Sequence, residues 1–157
     1  MDTLAAAIDQ LRALGATLPA GRLFLDQYGD SPAMSQQLIA LIRSGRKRAG
    51  ACLLWSLQAE GEAVPAVGDV AVVVDHLGKP VLLTPTTAVA VVPFCEVTAE
   101  FAAKEGEGDL SLAYWRRGHW AFFSRECAAI GREPSDQMPV VCVEFEVSWQ
   151  RPDAPVG

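Results

Sequence analysis

The apolar positions of this chain follow helical and strand periods in turn. Leu4, Ile8, Leu11 and Leu14 recur at helical spacing, and Gly15 follows where helices commonly end, which predicts a short amphipathic helix over residues 3–14. Ser31 can cap, and Pro32 can open, a second helix whose apolar residues Met34, Leu38, Ile39, Leu41 and Ile42 run to about 44 before Gly45. The apolar runs 51–57 and 69–75 read as buried strands, and His76-Leu77-Gly78-Lys79-Pro80 as a turn into a β-rich stretch over 81–92, together predicting a meander. Residues 96–104 predict a short helix before the Gly106-Glu107-Gly108 loop, and Asp109 is the expected cap of a longer helix ending near Gly131. That helix is expected to turn Leu112, Trp115, His119, Phe122 and Ile130 inward. Over 141–149, Val141, Val143, Phe145, Val147 and Trp149 alternate with Cys142, Glu144, Glu146 and Ser148, as a half-buried strand requires.

Separate strands with terminal and inserted helices predict an α+β fold, a small barrel or sheet flanked by helices, rather than a βαβ parallel sheet. A length of 157 residues suits one domain. The expected organisation is a helical extension over 1–20, the domain over 21–150 and a disordered tail over 151–157.

Charge narrows the partners. With 13 Lys and Arg against 19 Asp and Glu, the net charge of −6 argues against a protein that coats nucleic acid by bulk attraction. Arg43, Arg46, Lys47 and Arg48 nevertheless cluster, and Arg116 and Arg117 form a second basic pair. A local basic pocket on an acidic protein suits one nucleotide or a short strand. The four cysteines are widely spaced and there are two histidines, too little for a structural zinc site, so reduced and mostly buried thiols are expected. No apolar run of membrane-spanning length occurs, and Asp2 and Asp9 flank the first apolar stretch with no basic residue before it, so a cytoplasmic protein without a membrane partner is expected.

The segment 44–50 (SGRKRAG) sets three consecutive cations between a helix end and a buried strand. Either they complement the helix dipole, worth about 0.3–1 kcal/mol, or the junction aims them into a cleft. Glu105, just before the glycine loop, could pair with a cation or handle a proton. Tyr114, Arg117 and Ser124 share a helix face with small Ala121 between them, leaving room for a ligand or for water. No nucleophile elbow, phosphate loop, dinucleotide turn or histidine pair at metal spacing is found.

Taken in order and spacing, GDSP (29–32), SGRKRA (44–49), LLW (53–55), VGDVAVVVD (67–75), VVPF (91–94), EFAAKEGEGDLSLAYWR (100–116) and HWAFFSRE (119–126) closely resemble the ASCH domain proteins, over about residues 26–149. The resemblance implies a PUA-like small β-barrel, the ASCH fold, with a cleft beside a G-x-K motif and RNA as a partner. Two hydrolytic activities are known within the family that the chain resembles. Some members resemble ribonucleases that cut single-stranded RNA with help from a divalent metal; others are amidohydrolases that remove acyl groups from the exocyclic amine of cytidine, using a lysine and a threonine in G-x-K-x-x-T and a glutamate. By position the lysine is Lys47 and the glutamate Glu105, the expected catalytic pair, but Gly50 stands at the threonine's place and brings no hydroxyl. Cys52, two residues on, could substitute as a thiolate or belong to the core.

Three readings stay open. In an RNA- or nucleotide-binding domain, or a ribonuclease, Arg46 and Arg48 join Lys47 at phosphate while Tyr114, Arg117 and Ser124 contact sugar or base; no metal ligands are assigned, and any divalent metal would need carboxylates such as Glu105. In an amidohydrolase, water replaces the threonine. In a sensor, a nucleoside is bound without turnover.

Overall fold

The computed structural model describes residues 3–29 and 31–152. The reading of a disordered tail therefore lies outside the described residues from 153 onward. Arg151, which that reading included, is tied down: its amide donates to the Val81 carbonyl (2.8 Å) and its Nε to the Pro80 carbonyl (2.8 Å).

Six strands, β1 (Leu23–Gln27), β2 (Ala49–Leu53), β3 (Val70–Val74), β4 (Pro80–Pro93), β5 (Pro139–Phe145) and β6 (Trp149–Gln150), form one mixed sheet in the order β1-β3-β4-β5-β2, with β6 beside β4. The β1–β3 pair is parallel and the other pairs are antiparallel. The sheet makes a half-barrel flanked by α1 (Thr3–Ala13), α2 (Pro32–Arg43), α3 (Leu54–Glu60), α4 (Ala99–Glu105) and α5 (Leu112–Ala129), the expected PUA-like arrangement. Strand β4 serves both halves: residues 80–85 pair with β3 and residues 86–93 with β5, and a register shift between Thr86 and Ala88 marks the change of partner.

The continuous apolar run of β3 has a direct cause. Val70, Val72 and Val74 pack with Ala7 and Leu11 of α1, whereas Ala71 and Val73 pack with Ile39 and Ile42 of α2, so both faces are covered. A third core, with Trp115, Phe123, Phe94, Phe101, Met138 and Val140, lies where α4 and α5 meet β2 and β5.

Several expectations need correction. The run 51–57 is not one strand: β2 ends at Leu53 and α3 begins at Leu54, closed by Gly61 in the left-handed conformation (φ 69°). An unbroken apolar run has no period that separates a strand from a buried helix. Nor does this strand neighbour 69–75, because β2 lies at the far edge beside β5, and the edge strand β1 went unrecognised. Helix α5 is capped by Ser111, whose Oγ accepts from the Tyr114 amide (3.0 Å), while Asp109 accepts from the Ser111 amide (2.9 Å). The buried stripe of α5 is Trp115, Phe123 and Cys127 with His119 between, and Phe122 stays exposed beside the Arg125 guanidinium. It follows successive i+4 steps, the row along which helices often pack at an angle. The strand expected over 141–149 divides: β5 ends at Phe145 and β6 spans Trp149–Gln150, and within β5 Val140, Val141 and Cys142 are all buried, so the simple alternation does not hold there.

Candidate functional site

The site is assembled by two loops held backbone to backbone. After α2, Gly45 takes a left-handed turn (φ 81°), and the Lys47 amide returns to the Leu41 carbonyl (3.0 Å). The Arg48 amide then donates to the Lys104 carbonyl (2.8 Å) at the end of α4. Gly106 closes α4 at φ 72°, and a side chain there would collide with the Arg46 carbonyl and the Lys47 amide. Glycine is thus required by both φ and contact, and the clamp sets Lys47 facing Glu105.

Of the three consecutive cations, Lys47 turns inward and is 3% exposed, while Arg46 and Arg48 turn outward. Arg46 Nη2 donates to the Gly108 carbonyl (2.7 Å) and Arg48 Nε to the Gly45 carbonyl (3.0 Å). Lys47 Nζ lies 3.1 Å from Glu107 Oε2 and 3.4 Å from the Glu105 carbonyl, with the Tyr28 ring centroid at 5.7 Å. Glu105 is 1% exposed and its Oε2 lies 3.0 Å from His119 Nε2. His119 Nδ1 donates to the Trp115 carbonyl (2.9 Å), and the ring stacks on Trp115 at 4.1 Å. Both imidazole nitrogens therefore face acceptors, which only the protonated ring satisfies. Burial opposes charge on both partners, yet the pairing prevails: His119 and Lys47 hold Glu105 below the usual carboxylate range, and Glu105 holds His119 above the usual imidazole range.

Two further groups complete the cluster. Asp26, at the end of β1, is pushed up to about 6 by burial, partly offset by Lys47. The Tyr28 hydroxyl is within hydrogen-bonding reach of Asp26, and burial together with the neighbouring carboxylates raises it well above the usual phenol value, so it stays a donor. Beside the cluster, between the end of α2 and the 145–150 segment, a cavity of about 310 Å³ is lined by Arg43, Lys47, Arg48, Phe145, Glu146 and Gln150 among others.

The sequence-derived candidates are thus partly united. Lys47 and Glu105 meet, Arg48 borders the cavity, and Tyr114 packs against Gly108, whose carbonyl holds Arg46. The Arg117 guanidinium lies 5.9 Å from the Tyr114 ring centroid, so those two side chains flank the same loop. Ser124 lies about 10 Å farther along α5 by the helical rise, and its buried Oγ has no hydrogen-bond partner among the described residues. Sequence reasoning assigned no role to Asp26 or Tyr28, placed Glu107 in a loop and counted His119 as core. A histidine inside an apolar helical stripe, four residues from Trp115, was the available signal for a buried partner. Cys52 is no thiolate: burial, reinforced by Asp26, pushes its thiol up to about 12.

Ligand atoms of Glu105, Glu107 and His119 lie within 4.8 Å of one another. The set does not fit a divalent metal in this arrangement, because the Lys47 ammonium pairs with Glu107, His119 Nε2 faces Glu105 as its ion-pair partner and Nδ1 is taken by the Trp115 carbonyl.

The ASCH domain family model matches residues 25–148. The chain belongs to the ASCH domain family. Its fold is associated with RNA binding. Among solved structures, an ASCH domain from Lactobacillus crispatus JV V101 is 31% identical, superposes with a TM-score of 0.79, and the match covers 94% of each chain. Protein EF3133 from Enterococcus faecalis V583 is 28% identical with a TM-score of 0.75, over 92% of this chain and 87% of that one. No curated protein matches the sequence. Among the described residues, no helix is long and apolar enough to cross a membrane.

Proposed function

We propose that this ASCH domain binds single-stranded RNA and holds one nucleotide against the Lys47–Glu105 cluster. The observation that carries the reading is the burial of Lys47 and Glu105, at 3% and 1% exposure, within a charged network beside a 310 Å³ cavity. Buried charges are costly and are often neutral or unfavourable for stability compared with apolar packing, so a set of them whose lysine also lines a cavity is better explained by a ligand. Arg46 and Arg48, both exposed, would neutralise phosphate, and Tyr114 with the nearby Arg117 guanidinium would offer an aromatic and cationic surface to a neighbouring base. With its four cysteines as free thiols, the protein suits the reducing cytoplasm.

If the RNA backbone is cut, Lys47 is the group that would stabilise charge developing on the phosphoryl oxygens, and the lysine-filled carboxylate set favours a metal-independent reaction. Amide hydrolysis of an acylated cytidine is the weaker reading. It lacks a hydroxyl at Gly50, and the Cys52 thiol stays protonated.

The test compares the parent with Lys47→Met, which removes the charge and keeps most of the volume. Binding and cleavage of a short single-stranded RNA are followed beside deacylation of acetylated cytidine. The reading predicts at least a tenfold loss of RNA affinity in the variant, with unchanged behaviour in a chelator. RNA binding by Lys47→Met equal to the parent's would refute it, and deacylation lost in the variant would favour the amidohydrolase. Stoichiometric nucleoside binding without turnover would favour a sensor.

A further inference from the structure

The cavity of about 310 Å³ that Lys47 lines has an apolar floor and a polar rim. Ile42, in the last turn of α2, and Phe145, at the end of β5, belong to the buried core beneath it, and Val147 packs against that core. A flat ring can lie on these three side chains. Three polar residues of the rim have bonding capacity to spare. Arg48 uses its Nε on the Gly45 carbonyl (3.0 Å), and the rest of its guanidinium makes no hydrogen bond among the described residues. Glu146 and Gln150, where the chain passes from β5 into β6, are both exposed. The Glu146 amide donates to the Pro85 carbonyl (3.0 Å), but among the described residues neither the Glu146 carboxylate nor the Gln150 amide group has a hydrogen-bond partner, and no ion pair joins Glu146 to a cation of the rim.

A carboxylate repels phosphate, so Glu146 has no use in holding an RNA backbone and suits instead a part of the nucleotide that carries donors. Glutamate is acceptor-only, and its two oxygens can receive two parallel N–H groups. Single-stranded RNA is read on the Watson–Crick edges of its unpaired bases. Of the four bases, guanine alone sets two donors side by side on that edge, N1–H and the N2 amine, with the acceptor O6 next to them. The Gln150 amide group supplies a donor for O6. The volume is at the lower end of the roughly 300–1,000 Å³ usual for small-ligand sites, which fits a single nucleotide unit. We propose that this cavity selects guanine: the base lies on Ile42, Phe145 and Val147, Glu146 accepts from N1–H and the N2 amine, Gln150 donates to O6, and Arg48 takes the phosphate. This inference rests on the RNA reading above and adds which base is bound, and by which residues.

The test uses the full chain and its Glu146→Gln variant, which keeps the shape of the side chain and removes one acceptor oxygen and the charge. Short oligouridine strands carrying guanosine, inosine, adenosine or uridine at the centre are titrated by calorimetry, and thermal unfolding confirms that the variant is folded. The inference predicts that the parent binds the guanosine strand at least about tenfold more tightly than the adenosine and uridine strands. Inosine lacks only the N2 amine, and its strand should be weaker than the guanosine strand by roughly three- to tenfold, the worth of one hydrogen bond. Glu146→Gln should bring the guanosine strand down to the level of the others. Removing a carboxylate from a phosphate-binding surface would by itself tighten every strand, so a loss confined to guanosine has no purely electrostatic cause. A parent that binds the four strands alike, or a folded Glu146→Gln that keeps the preference for guanosine, overturns the inference. If the strands bind alike and all weaken in Lys47→Met, this inference fails while the RNA reading stands; if the parent binds no strand at all, both fail.

Discussion

His119→Ala should lower the stability of the domain by about 3–5 kcal/mol, the usual consequence of leaving one member of a buried ion pair without its partner. Glu105 is 1% exposed and would keep Lys47, whose ammonium lies at the Glu105 backbone carbonyl, as its nearby cation. For a domain of this size the loss corresponds to a fall in melting temperature of roughly 10 °C. The pH dependence identifies the pair as the cause. Glu105 titrates below its unfolded value of 4.5, so its stabilisation is present above that pH and fades as the pH falls through the folded value. His119 titrates above its unfolded value of 6.5, so its stabilisation is complete below that pH and fades as the pH rises through the folded value. The gap between parent and variant should therefore be widest at about pH 5–6 in denaturant unfolding. A gap under about 1 kcal/mol there, or one independent of pH, would mean that the pair is not formed as described.

Asp26→Asn should act in the opposite direction. A carboxyl raised from 3.8 to about 6 favours the protonated folded state, so the parent loses stability as the pH climbs between those values and bears the full penalty above them. Two pKa steps correspond to up to about 3 kcal/mol. The asparagine variant should be the more stable protein at pH 7.5 and indistinguishable from the parent near pH 3.5, as denaturant unfolding at the two pH values would show. A variant less stable than the parent at pH 7.5 would show that Lys47 and Tyr28 compensate Asp26 fully.

The parts of the fold that were legible in the sequence are those where a single face or a single cap decides the outcome. Helix α2 begins at Pro32 behind Ser31 as expected, since a proline at the first position and a capping hydroxyl admit few alternatives. The long strand over 80–93 likewise followed from its β-branched content. The reading faltered where an apolar run is covered from all sides: 51–57 divides into β2 and α3, and nothing in ACLLWSL marks the boundary at Leu53. Lys47 and Glu105 were legible through resemblance to the family, and the structure joins them through the Gly106 clamp. Asp26, Tyr28 and Glu107 were not legible, because their roles depend on two edge strands meeting across a half-barrel and on a glycine turn that returns Glu107 to Lys47. Sequence spacing carries no trace of either contact.

The most direct measurement of the central claim is a titration of isotope-labelled protein with a short single-stranded RNA at neutral pH in a chelator, followed through backbone amide and tryptophan indole resonances. The account predicts saturable shifts of the amides of Arg46 to Gly50 and Glu105 to Gly108, and of the Trp115 indole, whose buried Nε1 lies in the same cluster. Shifts confined to other exposed residues, such as Val91 and Phe122, or an unchanged spectrum, would contradict it.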